Sequence, residues 1–364
     1  MQSVEVDDDS VVLELSVSLR AEGARPAAPQ HIYQVFTVDD AQIVDVRAIP
    51  TTPAPGPGRE RHRSTRQATG VGSGVVQDTR VMDLSDGREL AWLELGDPAG
   101  KPVLGFHGTP GSRFQLVVDE QPVRMAGVRL ISVDRPGYGH STYKPGRTLA
   151  EWPDDVRELA DHLGIERFGV VGISGGGPHS LACAALMPDR VAVAGVLSGV
   201  SPLAAPGAEE GMMRANVLIT KMGRRSTWPL EAVFGLMTRV QRRWPESTLR
   251  MMTKQMPGPD AEIVSRPEVR HMFLQEARRA AATSAKASAQ DFQVFSRDWG
   301  FRLEEIRVPV HLWQGDADRN VPAAHARLLA AAIPGADLHE IEGGGHLATL
   351  DRSGEIFSTL AALI

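Results

Sequence analysis

From residue 103 onward the chain alternates short, predominantly apolar runs with stretches of helical periodicity, and that alternation limits its architecture more than any other feature. The apolar runs cover 103–106, 130–133, 168–172, 191–197 and 308–313. Runs this short and this uniformly hydrophobic suit strands covered on both faces, as in a parallel sheet. Between them, Val156, Leu159, Ala160 and Leu163 recur at helical spacing, with Gly164 where a C-terminal cap belongs. Further helices are expected after Ser174, through Leu181, Ala184, Ala185 and Leu186 to Pro188, and over 323–332. Strand and helix in alternation imply parallel strands joined by right-handed crossovers, with helices on both faces. Residues 75–81 and 89–95 read as an antiparallel pair ahead of the parallel strands.

The alternation breaks between 202 and 302. This run has no strand-like segment, is rich in Met, Arg and Ala, and predicts helices over 209–222, 230–243, 246–256 and 269–295. It is far too long to be a simple connection between strands and reads as an inserted helical cap. The segments on either side, 74–201 and 303–364, make up the α/β core. At the other end, residues 1–50 form a β segment in which 11–17, 32–38 and 43–46 alternate like strands, with Asp39 and Asp40 at a hairpin turn. Three strands alone are marginal. The Pro/Gly-rich and then basic stretch 51–73 has too little apolar surface to bury and reads as a linker.

Composition narrows the function classes. With 364 residues, 42% hydrophobic and 23% charged, the chain has the makeup of one large globular domain with a small appendage. A formal net charge of -6 gives a nucleic-acid surface no support. The single cysteine, Cys183, excludes an intrachain disulfide framework and is expected to pack inside the helix after Ser174. No apolar run spans a bilayer, and the acidic first ten residues lack a signal pattern. The expectation is a cytoplasmic protein with neither membrane nor nucleic-acid partner.

Four loops carry residues with chemical potential. Gly172-Ile173-Ser174-Gly175-Gly176 follows an apolar strand and precedes a helix. A chain reversing in so few residues forces the serine into a strained conformation and requires small neighbours. It leaves the hydroxyl exposed at the sheet edge, near the positive end of the following helix. A second loop, 314–322, follows the strand at 308–313 and carries two carboxylates, Asp316 and Asp318. A third, Glu342-Gly343-Gly344-Gly345-His346, follows a short strand at 338–341 and puts a histidine on flexible backbone; His339 lies within that strand. The fourth, Phe106-His107-Gly108-Thr109-Pro110-Gly111-Ser112, follows the strand at 103–106. Its backbone amides suit an oxyanion, with Thr109 and Gly175 as the candidate donors. No histidine pair shows metal-ligand spacing, so no metal and no cofactor is expected.

Taken in order, these motifs, together with Asp134-Arg135-Pro136-Gly137-Tyr138-Gly139-His140-Ser141, make residues 82–364 similar to the cap-bearing α/β-hydrolases common among bacterial esterases. The resemblance implies an α/β-hydrolase fold: a mostly parallel central sheet flanked by helices, with a helical cap inserted between strands. It implies a catalytic triad in the order Ser174, Asp318, His346, the Gly-to-Val-Pro pattern selecting Asp318 over Asp316. It makes His107, Gly108, Gly172 and Gly176 supporting residues, and gives Asp134, Arg135, Gly137 and Ser141 a structural part. The implied reaction is hydrolysis of a small ester or lactone through an acyl-enzyme, with an apolar acyl compound as the small-molecule substrate. Carbon–carbon bond hydrolases, proline-type aminopeptidases and non-catalytic ligand-binding homologues share the same residues. Epoxide hydrolases and haloalkane dehalogenases of this fold carry aspartate where this chain has Ser174. The cap methionines Met212, Met213, Met237, Met251 and Met252 read equally as an adaptable pocket or as cap core. Among the cap acids, Glu209, Glu231, Glu246 and Glu276 read as surface residues or as a hold for a substrate amine. Residues 11–49 resemble the last strands of a nuclear-transport-factor-like, polyketide-cyclase-type domain, and no site is expected there.

Overall fold

The computed structural model describes residues 2–7, 10–17, 30–39, 42–50, 79–116, 118–280 and 284–364. The expected linker at 51–73, and residues 75–78 of the first expected strand after it, lie outside the described residues. Contacts divide the chain into two units, Met1–His62 and Arg63–Ile364.

The first unit holds a four-stranded antiparallel sheet in the order β1 (Gln2–Asp7), β2 (Ser10–Val17), β3 (Gln30–Asp39) and β4 (Gln42–Pro50). Three of these match the alternating runs. The fourth, β1, escapes sequence reading because Glu5 and Asp7 make the stretch look like an acidic terminus. Its partners come from register with β2, where Ser3 faces Leu13 and Val4 faces Val12.

The second unit is built on eight strands: β5 (Arg80–Asp83), β6 (Glu89–Gly96), β7 (Lys101–Phe106), β8 (Val128–Val133), β9 (Phe168–Ile173), β10 (Val191–Leu197), β11 (Val310–Gly315) and β12 (Asp337–Ile341). Their spatial order is β12-β11-β10-β9-β7-β8-β6-β5, parallel except where β6 meets β5 and β8. Every residue of β9 and β10 is buried, which explains their unbroken apolar character: helices cover both faces. The edge strands β5 and β12 are mostly exposed or half-buried and accordingly mixed in sequence. On one face α2 (Trp152–His162), α3 (Gly177–Leu186) and α10 (Ala323–Ala332) bury Leu159, Leu181 and Leu329 against Phe106, Val170 and Leu312. On the other, α1 (Gln121–Met125) and α11 (Ser353–Ala362) bury Val123, Phe357 and Leu360 against Val103, Val171 and Val193. Each such side chain contributes about 1.5–3 kcal/mol on full burial. Cys183 is among the buried core residues of α3.

Among the described residues, six α-helices lie between β10 and β11: α4 (Arg214–Arg225), α5 (Trp228–Arg243), α6 (Pro245–Gln255), α7 (Gly258–Ser265), α8 (Pro267–Ala280) and α9 (Ser284–Phe295). Helices α5 and α9 share a small core of Leu230, Phe234 and Ala289, against which Ile219 and Met222 of α4 pack. Two details differ from the sequence reading. The first helix starts at Arg214 rather than 209, after turns that include Gly211 at φ 77°. The expected helix at 269–295 is described as α8 and α9, and residues 281–283 between them lie outside the described residues. Helix α7 was not expected, because Gly258-Pro259 reads as a breaker; here the proline occupies the first turn, where its missing N–H costs nothing. Among the described residues no helix is long and apolar enough to cross a membrane.

Candidate active site

Strand β9 delivers Ser174 at its C-terminal end, and a single 3-10 turn, Ser174–Gly176, leads directly into α3. Ser174 takes a φ of 53°, a left-handed conformation that a non-glycine residue seldom adopts. The surroundings enforce it. A Cβ on Gly172 would stand 2.1 Å from the Gly176 carbonyl oxygen, and one on Gly176 would stand 2.1 Å from that of Phe106. Side chains there are sterically impossible without moving the backbone, so the turn holds its shape and the serine hydroxyl faces outward.

The loop after β11 carries Asp318, whose carboxylate is fully enclosed and accepts four hydrogen bonds. Its Oδ1 accepts from the Asn320 and Val321 amides at 2.8 and 3.0 Å; its Oδ2 accepts from Gln314 Nε2 at 3.2 Å and pairs with His346 Nδ1 at 2.7 Å. Asp316, two residues earlier, is exposed, and its backbone amide donates to the Ile341 carbonyl. Of the two aspartates, the one that meets His346 is Asp318, the residue the Gly-to-Val-Pro pattern had selected. Burial disfavours the charged imidazolium of His346, but Asp318, with Asp260 adding to it, outweighs that and moves its pKa above the ordinary 6.5. Ser174 and His346 line one cavity; among the described residues no hydrogen bond joins them, a common looseness before substrate is bound. His339 lies on β12, stacked on Trp313, away from that cavity.

Thr109 and Gly175 both border the cavity beside Ser174, and a Cβ on Gly175 would lie 2.3 Å from Thr109 Oγ1, so the two backbones are neighbours. His107 is buried with both ring nitrogens engaged: Nε2 accepts from the Arg135 amide at 3.1 Å, which leaves Nδ1 to donate to the Gly108 carbonyl at 2.8 Å. Burial, with the Arg135 charge, holds its pKa well below the usual histidine value. A neutral, doubly bonded ring braces the loop and has no free nitrogen for a substrate proton.

Sequence reading missed the group that ties this loop down. Asp291, on α9 and completely buried, pairs with Arg135 at 2.8 Å and Arg147 at 2.5 Å, and accepts from Tyr138 Oη at 2.7 Å and Thr109 Oγ1 at 2.6 Å. Burial would raise its pKa, but the two guanidinium groups hold it well below the carboxylate range. Nothing in the sequence marks one helix carboxylate among many as the partner of residues over a hundred positions away. Replacing Asp291 with alanine would leave Arg135 and Arg147 buried without their shared counter-charge, an expected loss of about 3–5 kcal/mol. Urea unfolding followed by circular dichroism would measure it; an unchanged midpoint would mean that water or relaxation compensates.

Above Ser174 lies a cavity of about 400 Å³ closed by the inserted helices. Its walls include Met212, Ile219, Phe234, Met252, Phe273 and Phe295. Of the five methionines singled out above, Met212, Met237 and Met252 line it, whereas Met213 and Met251 do not. Of the four glutamates, only Glu276 does, with Oε1 accepting from Ser112 Oγ at 2.6 Å. Among the described residues no lysine or arginine borders the cavity, while Asp260 and Glu276 do. Asp260 too escaped sequence reading.

Elsewhere, His311, Asp337 and His339 group their ligand atoms within 4.8 Å on the outer strands β11 and β12. Their geometry is that of a hydrogen bond, with His311 Nδ1 and His339 Nε2 3.2 Å apart and ring centroids only 5.5 Å apart, so the nitrogens meet nearly head on.

Comparison with known proteins agrees with this architecture. Residues 103–359 match the alpha/beta hydrolase family. Over 327 residues the chain is 27% identical to the dihydrolipoyllysine-residue acetyltransferase component of the acetoin cleaving system of Cupriavidus necator, covering 89% of this chain and 75% of that protein. It is 26% identical over 274 residues to a 2-hydroxy-6-oxononadienedioate/2-hydroxy-6-oxononatrienedioate hydrolase of Klebsiella pneumoniae, covering 74% and 84%. An alpha/beta hydrolase fold protein from Nakamurella multipartita superposes with a TM-score of 0.58 at 28% identity, covering 78% of this chain and 98% of that one.

Proposed function

This chain belongs to the alpha/beta hydrolase family, and we propose that within it the protein is a serine hydrolase that cleaves a small, uncharged carboxylic ester or lactone with an apolar acyl group. The observation that carries this reading is the strained Ser174 sharing one apolar cavity with an imidazole already paired to a buried carboxylate. Ser174 Oγ attacks the ester carbonyl as His346 Nε2 takes its proton, and Asp318 fixes the ring tautomer and balances the imidazolium. The Thr109 and Gly175 amides receive the oxyanion. His346 then protonates the departing alcohol, and water repeats the two steps to free the acid. The helices between β10 and β11 serve as the cap that excludes bulk water and supplies the acyl-binding wall.

Charge favours a neutral substrate. A dianionic one would enter a low-dielectric cavity whose charged borders, Asp260 and Glu276, are themselves acidic. The likeness to the Klebsiella hydrolase supports a second reading, carbon–carbon bond hydrolysis by the same residues. Both are tested by assaying p-nitrophenyl acetate, butyrate and octanoate, mono-p-nitrophenyl succinate and a vinylogous diketone. The first reading expects turnover of the neutral esters, slower turnover of the succinate, and fluorophosphonate labelling at Ser174. Its kcat/KM should fall as pH is lowered through the His346 pKa, because a protonated ring cannot accept the serine proton; that limb should lie above pH 6.5. Turnover of the diketone alone would select the second reading. No turnover and no labelling would leave a non-catalytic ligand-binding protein.

A further inference from the structure

Asp260 stands in the first turn of α7, with 2% of its surface exposed. Its carboxylate leaves the cap and enters the loop that carries His346. Oδ2 accepts the His346 amide at 3.1 Å and Oδ1 accepts the Leu347 amide at 2.9 Å. From the core side, Ser198 Oγ donates to the His346 carbonyl at 3.1 Å. The main chain of one residue is therefore gripped at its N–H by the cap and at its C=O by the sheet. The preceding residue makes room for this: a Cβ on Gly345 would lie 2.3 Å from Asp260 Oδ1. The last glycine before His346 is thus explained by the entering carboxylate as well as by turn flexibility.

On these contacts, and resting on the reading of His346 as the general base, we infer that Asp260 is a positioning residue for that base, so that seating the cap and placing the imidazole are one event. The arrangement has physical logic. A loop of three glycines has high conformational entropy and cannot by itself hold a ring to within the few tenths of an ångström that proton transfer demands. Two charge-assisted hydrogen bonds from a buried carboxylate supply that constraint, and they exist only while α7 is docked. The carboxylate also adds negative potential beside the ring, whose other acidic neighbour is Asp318; Glu276, on α8, borders the same cavity. An open cap would leave the base loosely placed. Hydrolysis would then begin only with substrate enclosed and water excluded.

The test uses the full chain and a neutral ester such as p-nitrophenyl butyrate. Asp260→Asn keeps the shape but presents an NH₂ to one of the two amides, so one bond is lost and the charge removed. The expected result is a 10- to 100-fold fall in kcat with KM within about threefold of the parent, and an acid limb of kcat/KM displaced to lower pH. Glu262→Gln, an exposed charge on the same helix, should change neither. His346→Gln separates the two ideas: full turnover in that variant would end the base assignment itself. Loss of turnover in His346→Gln with an unaltered kcat and acid limb in Asp260→Asn would overturn only the role given to Asp260. If Asp260→Asn does not fold, hydrogen exchange on the parent chain decides. The His346 and Leu347 amides should exchange at least tenfold more slowly than the exposed Gly343 amide beside them, and equal rates would overturn the inference.

Discussion

Ser174→Ala is expected to lower kcat for a neutral p-nitrophenyl ester by roughly 10⁵–10⁶-fold, leaving only what oxyanion binding and enclosure provide. On the proposed mechanism the hydroxyl oxygen is the bond-forming atom; without it, His346 would have no alcohol to deprotonate and Asp318 no charge to balance. Folding should be untouched. Alanine at φ 53° bears about the same left-handed penalty as serine, and the surrounding glycine contacts do not involve the hydroxyl. The variant should therefore melt within a few degrees of the parent while losing fluorophosphonate labelling altogether. Equal turnover in both proteins would remove Ser174 from the chemistry, whatever its strained backbone suggests.

The second large effect is expected at Asp318, where asparagine should cost about 10⁴-fold in kcat. Asp318 accepts from four donors: two amides, Gln314 Nε2 and His346 Nδ1–H. An asparagine has only one oxygen to offer them, so its NH₂ must face a donor on one side. If it faces the imidazole, the ring takes the wrong tautomer and its Nε2 can no longer accept a proton. If it faces the two amides, the loop that shapes the site loses both bonds. Asp316→Asn, by contrast, should stay within twofold of the parent, since that side chain is exposed. Steady-state kinetics on the two variants decides. A large loss at Asp316 with none at Asp318 would reassign the acid.

Particular elements show how far the sequence could be read. The strands at 168–173 and 191–197 were legible because burial on both faces leaves no polar position to confuse the pattern. Strand β1 and helix α7 were not. The first carries acids in its middle, and the second opens on Gly-Pro, and in both the local signal points away from what tertiary pairing supports. Among the candidate residues, Ser174 announces itself through glycines whose Cβ positions are occupied by backbone. Asp260 and Asp291 announce nothing. Each is one acid on a helix, and its significance lies wholly in what the folded chain sets opposite: two amides for one, two guanidinium groups for the other.

The sequence by itself therefore determined the order of the buried strands with helices α2, α3 and α10, the interruption by a helical insert, and the loops that carry Ser174, Asp318 and His346. These follow from periodicity and steric need, which act over a few residues. Only the tertiary structure decided which side chains of the inserted helices face the cavity, and how the Asp260 carboxylate reaches the loop of His346. Such choices depend on distances between residues remote along the chain, and local patterns carry no information about those.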